Sequence, residues 1–159
     1  MEDGSIPDGS ISASTSKPAN PASAGRLNSN GYWSPQDSDQ DPWIQVDLQR
    51  RTAVTGVNTQ GAGDTWVSKY KLQYSDDAAS WTTFGDFGNV DAEFDGSQNG
   101  NLLALNEPVE ARYVRIKPTL WNNNEIRLRL ELYGCGAAGE VSSSSNIPKR
   151  LANFPHQYS

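Results

Sequence analysis

From Ile126 to Tyr133 apolar and polar residues alternate without a break, Ile126, Leu128, Leu130 and Leu132 against Arg127, Arg129, Glu131 and Tyr133. Period two over such a run is a strand with one face in a core; a helix would scatter the four apolar side chains around its circumference. The same pattern predicts a strand over 43–48, with Ile44, Val46 and Leu48 on one face. It predicts another over 66–75, with Trp66, Tyr70, Leu72 and Tyr74 opposed to Val67, Lys69, Lys71 and Gln73. The β-branched run 52–59 is expected to pair nearby. Residues 102–105 read as a strand that ends at Pro108, and Arg112–Ile116 as a strand-like run joined to the 126–133 run by an Asn-rich connection. Turn signals punctuate these runs: Gly61-Ala62-Gly63-Asp64 as a flexible tip, Ser75-Asp76-Asp77-Ala78 before Trp81, and a Gly/Asp/Asn-rich stretch around Phe87, Val90 and Phe94. Strand signals at intervals of roughly ten residues, with no helical period, predict an antiparallel sandwich or barrel.

The strand pattern stops at Gly134-Cys135-Gly136. This predicts a single domain over residues 1–136, and a flexible or disordered tail over 137–159 with four serines from Ser142 to Ser145 and a basic Lys149-Arg150 pair. Residues 1–41 read as surface loop, since Pro18 and Pro21 cannot sit in a central strand.

Composition agrees with β structure: five Trp, six Tyr and many Gly, Pro, Ser, Thr and Asn in 159 residues. The net charge of −6 is uneven, with residues 112–134 carrying five bases and two acids while residues 1–111 carry six bases and sixteen acids. An acidic body argues against a nucleic-acid partner, whose phosphates need a basic stripe, and weakens simple attraction to anionic lipid, to which a local basic patch could still contribute. No apolar run approaches the length of a membrane span, and the acidic, polar start Met1-Glu2-Asp3-Gly4 is not a signal peptide. One cysteine makes neither an internal disulfide nor a zinc site. The only histidine, His156, lies in the expected tail, and no phosphate-cradling glycine motif precedes a helix, so the chain reads as a non-enzyme.

Several landmarks in order carry a family resemblance: Gly4-Ser5-Ile6-Pro7-Asp8, Ile11-Ser12-Ala13-Ser14, Arg26-Leu27-Asn28 and Trp43-Ile44-Gln45-Val46-Asp47-Leu48. Trp66-Val67-Ser68-Lys69-Tyr70, Tyr74-Ser75-Asp76-Asp77 and Trp81 follow, then Arg112-Tyr113-Val114-Arg115-Ile116, Pro118, Trp121 and Leu128-Arg129-Leu130-Glu131-Leu132-Tyr133-Gly134-Cys135. Over residues 1–135 the chain resembles the discoidin domain, the coagulation factor 5/8 C-type module. The resemblance implies an all-β, eight-stranded jelly-roll-like sandwich of the galactose-binding-like type and a non-catalytic recognition role in cell adhesion. It also implies an extracellular setting, secreted or within the ectodomain of a cell-surface protein. The family's closing cysteine pairs with one placed just before the segment that starts here at Met1. The resemblance therefore implies either a fragment lacking the partner of Cys135 or a paralogue in which Cys135 is free.

In the family, ligands meet three loops, or spikes, at one end of the sandwich; here they fall at about 16–25, 61–65 and 91–101. The expected ligand is a cell-surface or matrix glycan or protein, with phosphatidylserine-rich membrane as the alternative. Candidate ligand-binding residues are Lys17, Asn20, Arg26, Trp33, Gly61, Asp64, Phe94, Gln98 and Asn99. Trp33 is there for stacking on a sugar face or walling a peptide pocket, and Arg26, Asp64, Gln98 and Asn99 for hydrogen bonds. Phe94, the one large apolar residue of the spikes, reads either as core or as a membrane-inserting tip. No cofactor is expected. Calcium needs clustered oxygen ligands; Asp37, Asp39 and Asp41, or Asp86, Asp91 and Asp95, supply oxygens without the spacing of a defined loop motif. Of Arg112, Arg115, Arg127 and Arg129, at least one is expected to be structural.

Overall fold

The computed structural model describes Met1, residues 6–85 and 92–136, and the backbone of 149–150. Its strands are β1 (Ile11–Ala13), β2 (Ile44–Gln60), β3 (Val67–Ser75), β4 (Thr82–Thr83), β5 (Phe94–Asp95), β6 (Asn101–Trp121), β7 (Arg129–Gly136) and β8 (Lys149–Arg150). All pairings are antiparallel, in the order β4-β3-β6-β2-β7-β8, with β1 added to β2 and β5 to β3. The fold is the all-β, jelly-roll-like architecture that the sequence predicts.

Two long strands build both layers. The first half of β2 pairs with β1 and with the second half of β6, whose other neighbour is β3. The second half of β2 pairs with the first half of β6 and with β7. The change of layer coincides with a register shift between Asp47 and Thr52, where Gln49 takes φ 70° and donates its N–H to Asp47 Oδ1 at 2.7 Å. Arg112 grips the same carboxylate through both oxygens, at 2.9 and 3.0 Å. These bonds from Arg112, with the Gln49 amide, outweigh partial burial and hold the Asp47 carboxyl below the usual carboxylate range.

Between the layers lie Ile44, Val46, Val54, Val57, Tyr70, Leu72, Ile116, Leu128, Leu130 and Leu132, all at most 3% exposed. Ile126 and Leu128 keep the alternation of β7 but precede it, because Leu128 exchanges two 3.0 Å backbone bonds with Trp33 instead of joining β2.

Five local expectations need correction. Residues 1–41 are not all surface loop, since they include β1 and bury Ile6, Ile11, Leu27 and Trp33, which a turn-rich composition does not reveal. β6 runs through Pro108 without ending there. The proline sits where β2 and β6 lose register between Val54 and Gly56, so no ladder N–H is demanded of it. Val67, expected on the polar face of its strand, is 2% exposed, because a register irregularity before Lys69 reverses the alternation and leaves Trp66 half-buried. Thr52–Thr59 is not a separate strand but the second half of β2. The outer face of β7 is covered as well: Glu131 is 0% and Tyr133 2% exposed, with the Met1 ammonium 2.7 Å from the Glu131 carboxylate. Arg26 holds Met1, Ile6 and Asp8, donating to the Met1 and Ile6 carbonyls (2.7 and 2.8 Å) and to the Asp8 carboxylate (2.6 Å).

Cys135 is free and half-buried. Of the 137–159 segment, only 149–150 are among the described residues, and their backbone pairs with Tyr133 and Gly134. Phe87, Val90, Asp86 and Asp91 lie outside the described residues. No helix among the described residues is long and apolar enough to cross a membrane.

Candidate functional site

The antiparallel order brings the loops 15–21, 32–41, 61–66, 96–101 and 121–127 towards one end. The 61–65 loop is the most constrained of them. Ala62 and Thr65 close it by backbone bonds of 3.0 and 3.3 Å, and Gly61 N–H donates to the Gln98 carbonyl at 3.1 Å. Its outward carbonyls are capped by side chains. Arg129 donates to Gly61 O through Nε and Nη2 (3.0 and 2.6 Å), Gln98 Nε2 to Gly63 O, and Asn122 and Asn123 to Asp64 O (2.8 and 3.1 Å). A Cβ at Gly61 would overlap the Thr65 carbonyl and the Trp66 backbone, so only glycine fits, and Gly63 needs its φ of 62°. The glycine-rich stretch is therefore a clamped turn and not the flexible tip that its composition suggests.

Beside it runs a chain of charges. Lys17 Nζ lies 3.0 Å from Asp37 and 3.7 Å from Glu125, and Glu125 meets Arg127 at 3.0 Å. The Arg127 guanidinium lies over the Tyr32 ring, 5.0 Å from its centroid. The bond from Asp37 leads the effects that raise the Lys17 ammonium above its ordinary value, and that from Glu125 leads for Arg127. Both cations stay charged at any physiological pH. Between the loops a cleft of about 60 Å³ is lined by Lys17, Gln36, Asp37, Trp121, Asn124 and Glu125, among others. It has room for a few waters or one polar substituent, and its lining offers both donors and acceptors.

The structure divides the sequence candidates into groups. Gly61, Asp64, Gln98 and Asn99 form one ledge, in which Gln60 Nε2 donates to the Asn99 carbonyl at 3.4 Å. Lys17 lies on the adjoining charge chain, and Asn20 closes the turn below it through its N–H to the Lys17 carbonyl at 2.9 Å. Trp33 is 0% exposed, with its indole N–H on the Thr15 carbonyl at 3.0 Å, so it supports the loops from within and presents no stacking face. Phe94 is 8% exposed and packs on Tyr70 and Phe84, with centroids 6.0 and 5.8 Å away; it is core and not a tip. Arg26 is turned to the N-terminal segment.

The acidic groups weighed for calcium separate. Asp37 goes to Lys17 and Asp41 to Lys117 (3.0 Å). Burial works to raise the Asp39 carboxyl, but hydroxyl bonds from Ser14 and Thr15 (2.6 and 2.7 Å) and the Asp41 amide outweigh it and hold it low. Asp95 pairs with Lys69 at 2.7 Å. Among the described residues no group of three His, Cys, Asp or Glu side chains converges to hold a metal.

Sequence reasoning missed the fourth loop. Residues 121–127 contribute Trp121, Asn122, Asn123, Glu125 and Arg127 to this end, and Leu120 beside them is 54% exposed. The signal was available: three consecutive asparagines suit the left-handed backbone that Asn123 (φ 55°) and Asn124 (φ 53°) adopt.

Comparison with known proteins places this end in context. The family model described as "F5/8 type C domain" matches residues 10–132. Contactin-associated protein 1 of Rattus norvegicus is 40% identical over 116 residues, 69% of this chain and 8% of that protein. Lactadherin of Mus musculus is 38% identical over 152 residues, 85% of this chain and 32% of that protein. The chain thus spans a third or less of these relatives. Discoidin II of Dictyostelium discoideum superposes with a TM-score of 0.71 at 26% identity, over 83% of this chain and 57% of that one. The family 32 CBM from C. perfringens NanJ, solved in complex with galactose, gives 0.65 at 16% identity over 80% and 96%, and shares the fold alone.

Proposed function

The chain belongs to the F5/8 type C domain family, and from that premise we propose that it is a non-catalytic recognition module whose loop end binds a glycan or a protein at the cell surface or in the extracellular matrix, in adhesion. The observation that carries this reading is the clamped 61–65 turn beside the Lys17–Asp37–Glu125–Arg127 chain. Its backbone is already ordered, so a ligand that lands on it pays little further conformational entropy. Its outward groups are Asp64, Gln98, Asn124 and paired charges, which suit the hydroxyls of a sugar or the polar groups of a peptide. The clamping side chains Arg129, Asn122 and Asn123 are supports, Lys17 and Asp64 are proposed contacts, and Gln98, whose Nε2 caps Gly63 O, is proposed to offer its Oε1. The galactose-bound module of the same fold lends the glycan option weight.

The second reading, peripheral binding to phosphatidylserine-rich membrane, is favoured by one feature, the exposed Leu120 at the end of β6 near Lys69. A screen of the domain against a glycan panel, matrix proteins and phosphatidylserine vesicles, each with and without calcium, separates the two. The expected outcome is saturable glycan or protein binding, lost in Asp64→Ala and Lys17→Ala with melting temperature unchanged. Retention on vesicles that survives high salt and disappears in Leu120→Ala would reverse the ranking.

A further inference from the structure

We propose a second binding site, on the flank of the sandwich and separate from the loop end, that takes an acidic glycan through Arg115. The four arginines of the closing segment have different surroundings. Arg112 and Arg127 are neutralised by Asp47 and Glu125, and Arg129 directs Nε, Nη1 and Nη2 at the carbonyls of Gly61 and Ser29. Arg115 has no carboxylate within ion-pair distance among the described residues. Its Cζ lies 3.9 Å from the ring centroids of both Trp43 and Trp81, and its Nε and Nη2 both donate to Gln45 Oε1, at 3.3 and 2.9 Å. Nη1 has no acceptor among the described residues. Two indole faces and one amide therefore fix the guanidinium plane and leave a free edge of N–H donors at a half-buried position. That edge matches the paired oxygens of a carboxylate or sulfate, which a guanidinium binds through two parallel bonds. Burial disfavours the charge of Arg115, with only the more distant Asp41 opposing it, so an arriving anion supplies what the fold does not.

The surroundings extend the site along the sheet. Pairing registers place Gln45, Arg115, Gln73 and Thr83 in one row across four strands, on the face opposite the buried Ile44, Val114, Ile116 and Leu72. The amides and the Thr83 hydroxyl are neutral groups of the kind that meet sugar hydroxyls. In the next row Lys117, which also pairs with Asp41 at 3.0 Å, stands opposite Lys71. That row is about 7 Å along the strand from Arg115, so a second anionic group on the same polymer reaches it. Neither exposed leucine, Leu102 or Leu120, belongs to the Arg115 row, which favours a glycan over a lipid surface.

The test measures binding of the domain to heparin (sulfate and carboxylate), hyaluronan (carboxylate only), neutral dextran and phosphatidylserine vesicles. Saturable binding to heparin, hyaluronan or both is expected at about 150 mM salt, with none to dextran; the pair of polymers shows which anion is read. Arg115→Gln is expected to weaken binding about tenfold or more, with loop-end ligand binding retained. Lys71→Gln/Lys117→Gln, which leaves the Trp43–Arg115–Trp81 stack in place, is expected to weaken it about threefold or more. Arg51→Gln removes the same charge outside the Arg115 and Lys117 rows, where Arg51 is held between Asp76 and Glu110, and is expected to change binding less than about twofold. Absence of binding to either acidic polymer, equal losses in Arg115→Gln and Arg51→Gln, no loss in the lysine pair, or retention on vesicles alone would each overturn the proposal. Should Arg115→Gln fail to fold, the lysine pair decides.

Discussion

The loop end and the outer face of the β2–β6–β3 layer draw on the same residue types, Arg, Lys, Gln, Asp and Trp, yet treat charge in opposite ways. At the loop end the cations are matched within the molecule: Lys17 and Arg127 by Asp37 and Glu125, and Arg129 by two backbone carbonyls. On the flank Arg112 and Lys117 are paired as well, with Asp47 and Asp41, but Arg115 is gripped by aromatic rings and a neutral amide and has no carboxylate within ion-pair distance among the described residues. A compensated surface recognises by shape and hydrogen bonding, whereas an uncompensated one recognises by charge. The difference follows from where each guanidinium lies relative to a carboxylate or a turn, and residue type alone does not reveal it.

The sharpest way to break the comparison is to remove what supports one side of it. Phe94→Ala takes a ring from the core directly below the 96–101 loop, and such truncations cost about 3–5 kcal/mol. We expect a large fall in melting temperature, seen calorimetrically, and loss of both binding activities together; a small fall with vesicle binding alone abolished would return Phe94 to the surface. Arg129→Met is next. It leaves the Gly61 and Ser29 carbonyls without their donor, at a cost of about 1–3 kcal/mol. Hydrogen exchange of the 61–65 amides should quicken, and loop-end affinity should fall while flank binding persists. Salt then sharpens the contrast without mutation. Raising it from about 50 to 300 mM should weaken flank binding about tenfold and loop-end binding by less than about twofold, because only the former depends on an unscreened net charge. The smallest effect belongs to Asp47. Its carboxyl titrates lower in the folded chain than in the unfolded one, so its contribution is present above the ordinary carboxylate pKa and is lost as pH falls through the depressed value. The pair is partly exposed, so Asp47→Asn should cost under about 1 kcal/mol near neutrality. Denaturant titrations should show that gap closing as the pH is lowered.

Much of the fold was legible in local pattern. The four apolar residues from Ile126 to Leu132 are all buried, and so are Ile44, Val46 and Leu48. Where local pattern misled, a non-local register decided. Pro108 reads as a terminator until its place in the β2–β6 irregularity is known, and Val67 reads as outward until the slip before Lys69 is seen. Glu131 alternates like a solvated residue, but it is buried against the Met1 ammonium, and nothing near it in sequence announces that. At the loop end, Lys17, Gly61, Asp64 and Gln98 were picked out because the ordered landmarks position the spikes, and the structure brings them to that one end. Trp33 and Phe94 were ambiguous because one aromatic residue serves equally as ligand platform or as core. Glu125 and Arg127 were missed because an asparagine-rich run between two strands reads as connector, although its residues also line the loop end.

The sharing of β2 and β6 between the two layers has a further consequence. Neither layer can be peeled from the other without tearing a continuous strand, so the domain has no internal seam along which to open by halves. Local fluctuations are confined to loops and edges, and the interior amides of both layers should exchange only through one global opening. Most pairings of these strands join distant parts of the chain, for example Ile44 with Ile116. Such a topology folds slowly for its size, because distant partners must meet before either layer gains much. Ligand bound at the loop end would therefore protect the Asp47–Arg112 corner as much as the loops it touches.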